Sequence, residues 1–170
     1  MKRMATRSGG RTLAAVVMTL GLSAIHTPVG AQGRSIEGVW GLSITIRDCT
    51  SSAPVGPPFR SILTFHQGGT VSESPANPGF APGQRSSGHG VWTQTGPSTY
   101  SSKFLALILF DTPPNLPLSP GFFAGWQIGT QTATLSDSDT LSTTGQVQFY
   151  DLNRQLYRSI CAGANGERFR

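Results

Sequence analysis

Few side chains in this sequence could do acid–base work near neutral pH. Past the first 31 residues the histidines are His66 and His89, and Glu73 is the carboxylate best placed to orient one of them. With Gly68-Gly69 read as a two-residue hairpin loop, His66 and Glu73 fall on one face in diagonal positions, the spacing of a general base and its orienting acid. Leu63 and Phe65 then share the opposite face, and their apolar character marks that face as the core side. His66 therefore reads more simply as a solvated hairpin histidine. His89, between Gly88 and Gly90, reads as a loop residue or a contact at a mouth. Asp137 and Asp139 have the alternation of calcium ligands but lack the rest of a binding loop, so a turn is expected. Two scattered histidines do not make a metal site, and no Gly-x-Ser-x-Gly elbow is present. No catalytic residue, metal or cofactor is assigned, and whether the protein is an enzyme stays open.

Cys49 and Cys161 are the sequence's two cysteines. Their chemistry depends on compartment, and the N-terminus supplies an address. Lys2, Arg3, Arg7 and Arg11 precede an apolar run from Leu13 to Ile25, and Val29-Gly30-Ala31 places small residues where signal peptidase reads them. The run is too short to span a bilayer. Residues 1–31 are thus expected to be a cleaved signal peptide and 32–170 a single secreted or periplasmic domain, in which paired thiols persist as a Cys49–Cys161 disulfide. The overall charge of +5 and pI near 9.9 belong mostly to that leader. Beyond it nine basic side chains face eight acidic ones with no basic cluster, which argues against a nucleic-acid partner. No membrane span is expected after cleavage, and a monomer is the simplest form.

The elements that must position these residues are strands. The chain carries 21 Gly and 12 Pro with only 12% charged residues, a turn-rich profile that excludes coiled coils and helix bundles. Period-two alternation recurs, most clearly where Trp40, Leu42, Ile44 and Ile46 alternate with smaller or polar residues. Further strands are expected over 59–66, 70–74, 91–95, 99–110, 122–135, 140–150 and from 154 into the tail. The fold class that results is all-β, an eight-stranded antiparallel up-and-down barrel, with a two-sheet sandwich as rival. Tight turns at 67–69, 96–98 and 136–139 alternate with long Pro-rich connections at 48–58, 75–89 and 111–121. One end should therefore be plain and the other a mouth ringed by loops, the layout with which eight-stranded barrels hold one small ligand.

Closing the barrel requires the last strand beside the first. If Cys49 pairs directly with Cys161 in antiparallel register, the tail runs along the first strand and sets Arg170 opposite Trp40, with Gly163 and Gly166 as bulges. Trp40, Phe65, Trp92, Tyr100, Phe104 and Trp126 are the aromatic side chains that could line an interior, and they are the candidate ligand-binding residues. A cavity of about 300 Å³ or more lined by Trp and Phe would mark a ligand-holding barrel. The alternative is a filled core, which small barrels also tolerate.

Gly38-Val39-Trp40, opening the first strand, resembles the Gly-x-Trp mark of lipocalins and their relatives. An Arg near the last strand covering this Trp belongs to that pattern, and Arg168 or Arg170 stands at the matching place. The run Leu63 to Val71, followed by Gly90-Val91-Trp92 and Tyr100, also looks like small exported bacterial proteins with a lipocalin-like (calycin-like) or allene-oxide-cyclase-like barrel. The chain departs from lipocalins proper in lacking a helix after the barrel and in its second Gly-Val-Trp at 90–92. The resemblance implies an eight-stranded barrel with no settled activity; the loop asymmetry with the aromatic strands, the implied fold and the Pro-rich loops each motivate one of three functions. The first is an exported non-catalytic protein binding a small hydrophobic ligand. The second is a cyclase or isomerase of allene-oxide-cyclase or dirigent type, which a buried polar cluster would favour. The third is an envelope interaction protein using its Pro-rich loops around Phe80, Leu116 and Phe122.

Overall fold

A computed structural model describes residues 35–110 and 124–170 of the chain. The expected signal peptide, Leu116 and Phe122 lie outside the described residues. Eight strands follow one another: β1 (Gly38–Arg47), β2 (Phe59–Phe65), β3 (Thr70–Pro75), β4 (Gly88–Gln94), β5 (Thr99–Ile108), β6 (Gly125–Leu135), β7 (Thr140–Tyr150) and β8 (Leu156–Arg168). Each pairs antiparallel with the next, and β8 returns to β1, so the sheet closes into a barrel in simple sequence order. Closure removes both free edges and leaves one inner face for apolar side chains to fill.

The loops sort by length as the sequence implies. Tight turns at 66–69, 95–98 and 136–139 lie with the start of β1 and the end of β8 at the base of the barrel. The longer connections 48–58 and 76–87, the paired ends of β5 and β6 at Ile108 and Gly125, and the turn after Tyr150 lie at the mouth. Trp40, Leu63, Phe65, Val71, Tyr100, Leu135 and Leu141 fill the base half of the interior, each buried. Ile36 plugs the base from below, and its carbonyl accepts the Trp40 Nε1–H at 2.8 Å.

Two registers and the place of the bulge differ from expectation. The β2–β3 turn has a three-residue loop, because the His66 N–H bonds Thr70 O and both Gly68 and Gly69 take positive φ. Leu63 therefore faces Glu73, where a two-residue loop would face Thr64 to it. Since side chains alternate with period two, that one-residue slip turns Glu73 from the outer face to the inner one. His66 stays outside, so the two are not partners. In the β1–β8 pair Trp40 faces Arg168, not Arg170, and Arg47 faces Cys161. The disulfide joins Cys161 to Cys49, two residues beyond the end of β1, with Cα atoms 5.1 Å apart. Gly163 and Gly166 are regular β8 positions, not bulges. A Cβ on Gly166 would stand 2.4 Å from Leu42 Cδ2, so the glycine exists for that close approach. The irregularity falls instead between Phe149 and Tyr150.

Candidate functional site

The six aromatic residues singled out from sequence separate into three places. Trp40, Phe65, Trp92 and Tyr100 form the closed base. Phe65 and Trp92 meet edge to face at 5.9 Å, and Trp92 and Tyr100 at 5.8 Å. Arg168 seals them from below, with its guanidinium carbon 4.2 Å from the Trp40 ring centroid and hydrogen bonds to the carbonyls of Ser35, Glu37 and Ser138. Burial pushes the Tyr100 phenol above its ordinary value. Phe104 lies higher, with its ring laid over Gly129, where a Cβ would come within 2.2 Å of Cζ. Trp126 is on the outer face, beneath the Arg154 guanidinium, and does not line the interior.

His89 is a β4 residue, not a loop residue, because the flanking glycines let β4 run close to Phe104 and the Lys103 carbonyl. His89 and His66 both project outward, and His66 Nε2 lies 3.0 Å from Ser72 Oγ. Asp137 and Asp139 make a turn: Asp137 Oδ1 accepts the Asp139 N–H, and Asp139 pairs with Arg168 and Arg170. Among the described residues no three His, Cys, Asp or Glu side chains are grouped to hold a metal.

Above the aromatic base the interior becomes polar. Arg85, from the loop between β3 and β4, turns its side chain into the barrel, where Nη2 donates to Glu73 Oε2 at 2.7 Å. The two side chains are 4% and 7% exposed, which makes this a buried ion pair. Arg85 Nε donates to Gln127 Oε1, and Nη1 donates to Ser86 O at 3.0 Å. Burial pushes the Glu73 carboxyl above its ordinary value, and the Arg85 guanidinium and the Ser61 hydroxyl act against that rise without cancelling it. Ser61, Ser102, Gln127 and Thr143 complete the buried polar set, with Ser102 facing Gln131 across β5 and β6.

This layer borders an inner cavity of about 70 Å³ between Leu42, Ile44, Phe104, Gln131 and Ala164. It is far below 300 Å³, because Trp40 and Trp92 pack into the base and do not surround a void. The larger volume lies outward. A cleft of about 580 Å³ opens at the mouth between Phe80, Gln84, Phe149, Asp151, Tyr157 and Arg158. Phe80, Phe149 and Tyr157 form a row with centroids 6.3 and 6.2 Å apart, and Arg158 lies over Phe149 at 5.6 Å. Ile46, Asn77, Phe80 and Ile160 line both spaces, so cleft and cavity are neighbours sharing a rim.

Sequence reasoning did not single out Glu73 as an interior residue, nor Arg85, Gln127, Gln131 or Phe149. Counting the hairpin loop as three residues would have turned Glu73 inward. Arg85 lies in a loop where no periodicity assigns a face. A second apolar feature is external: Leu105 pairs with Ile128 and Leu107 with Trp126 across β5 and β6, with both leucines exposed. No protein-family model matches the chain and neither does any curated protein, so its kinship is stated by architecture alone: an eight-stranded antiparallel β-barrel closed by a disulfide.

Proposed function

We propose that this is an exported barrel that holds a small, largely apolar ligand at its mouth. The observation that carries the reading is the funnel: a wide aromatic cleft shares its rim with a narrower inner cavity, and packed aromatic side chains close the far end. A concave, mostly apolar wall with a few convergent polar groups is the usual form of a small-molecule site. Export is supported by the basic-then-apolar leader and by the disulfide, a bond that persists in oxidising compartments. The test is a titration with the fluorescent apolar probe N-phenylnaphthylamine. Saturable binding is expected for the native chain and loss of binding for Ala162→Trp, which fills the inner cavity. Absence of saturable binding, or equal binding by the filled variant, would remove the reading.

A second reading, a cyclase or isomerase of allene-oxide-cyclase or dirigent type, is favoured by one observation. An ionisable pair, Glu73 with Arg85, is buried at the cavity wall with the carboxyl held above its ordinary value. A group so tuned can move a proton in a water-poor site. Turnover of a reactive polyene or epoxide substrate, abolished in Glu73→Gln with the fold intact, would establish it.

A further inference from the structure

The inner cavity carries information about which end of a ligand enters it. Among the described residues, the titratable groups on its wall are Glu73 and Arg85, and each neutralises the other. The cleft above repeats the balance with Asp151 and Arg158. An ionised ligand head reaching the cavity would leave water without a spare counter-charge to meet it, which is costly in a low-dielectric interior. A purely hydrocarbon end is disfavoured for a different reason. Gln131, on β6, projects into the same cavity, and its Nε2 is buried with no hydrogen-bond acceptor. Gly145 is its cross-strand partner on β7, and a Cβ there would stand 2.7 Å from Gln131 Cβ, so the glycine lets the two strands approach closely beside the cavity. A buried donor without an acceptor is a cost that an incoming oxygen relieves. The space, about 70 Å³, accepts a head of only a few heavy atoms, given that one water requires about 10 to 15 Å³ on this measure.

We propose that the ligand is an uncharged amphiphile whose small acceptor-bearing head, a ketone, ester or alcohol oxygen, enters the barrel and accepts a hydrogen bond from Gln131 Nε2. Its apolar body then lies against Phe80, Phe149 and Tyr157 in the cleft. This rests on the ligand-holding reading and adds the polarity, charge and direction of the ligand. Specificity arises because the site rejects a head that cannot accept and a head that carries charge.

The test displaces N-phenylnaphthylamine from the full disulfide-bonded chain with five compounds of similar length: methyl octyl ketone, decanol, decane, decanoate and decylammonium. The ketone and alcohol are expected to bind about tenfold or more tighter than the ions and than decane, the factor that satisfying one buried donor supplies. In Gln131→Leu the ketone and decane should bind alike. Equal displacement by all five, as when water alone satisfies Gln131, overturns the assignment and leaves the ligand-holding reading standing. So does preference for decanoate or decylammonium. If the probe itself does not bind, both readings fall together. The comparison among the five compounds needs no variant, so a Gln131→Leu chain that misfolds does not shield the proposal.

Discussion

Replacing Arg85 by Met removes three hydrogen bonds at once and leaves the Glu73 carboxylate, 7% exposed, without its cation. Breaking one partner of a buried ion pair costs about 3 to 5 kcal/mol, because the remaining charge stays desolvated. Glu73 can escape part of that cost by taking a proton. Its carboxyl already sits above its ordinary value in the native protein, and without the guanidinium it rises further. Between the unfolded and folded values the native state then binds more protons than the unfolded one, so stability falls as pH rises through that window. Guanidinium denaturation followed by tryptophan fluorescence, with the disulfide intact, should give a loss of about 3 to 5 kcal/mol near neutral pH. At about pH 5 the loss should shrink to about 1 to 2 kcal/mol, the share left for the bonds to Gln127 and Ser86. Arg85→Met combined with Glu73→Leu should recover most of the deficit and lose the pH dependence, since an apolar pair of similar bulk replaces the ions. A single variant that loses under about 1 kcal/mol near neutral pH, or a double variant as unstable as the single one, would refute the buried-pair account.

Three further outcomes follow from the same geometry. Cys161→Ser opens a loop spanning a separation of 112 residues and should cost about 4 to 5 kcal/mol in the chain-entropy model, read as a lower denaturation midpoint under oxidising conditions. Gly129→Ala puts a Cβ where the Phe104 ring lies, so it should destabilise by about 1 to 3 kcal/mol and weaken probe binding as the ring is driven into the cavity. Arg168→Met should cost about 2 to 4 kcal/mol by unsealing the base, and loosened packing around Trp40 should show as reduced near-ultraviolet dichroism.

Strand positions were legible because apolar residues alternate cleanly at Trp40 to Ile46 and Gly and Pro punctuate the intervals. Loop lengths alone told base from mouth. Side-chain facing was harder, because it depends on turn geometry to the single residue. Reading Gly68-Gly69 as the whole loop left Glu73 in solvent, and the actual loop begins at Gln67. On β6, Trp126, Ile128, Thr130 and Thr132 share the outer face, and the inward face is Gln127, Gly129 and Gln131. Composition hid this, since small and polar residues line the half of the barrel that stays open. Arg85 was illegible for another reason: it reaches the interior from a loop, tied by a bridge to Ile108 and by its own hydrogen bonds, and no periodic pattern records that. The β8 register missed by two residues because Cys49 lies past the strand end; an even slip leaves every side chain on its face, so the Arg168–Trp40 contact survived.

The central claim is that a small ligand enters at the mouth, and amide chemical-shift mapping of the isotope-labelled, disulfide-bonded chain titrated with methyl octyl ketone tests it most directly. Saturating shifts gathered at Ile46, Phe80, Gln131 and Ala162, with the base residues Trp40 and Phe65 unmoved, are the predicted result. Shifts confined to the outer face at Leu105, Leu107 and Ile128, or none at all, would contradict it.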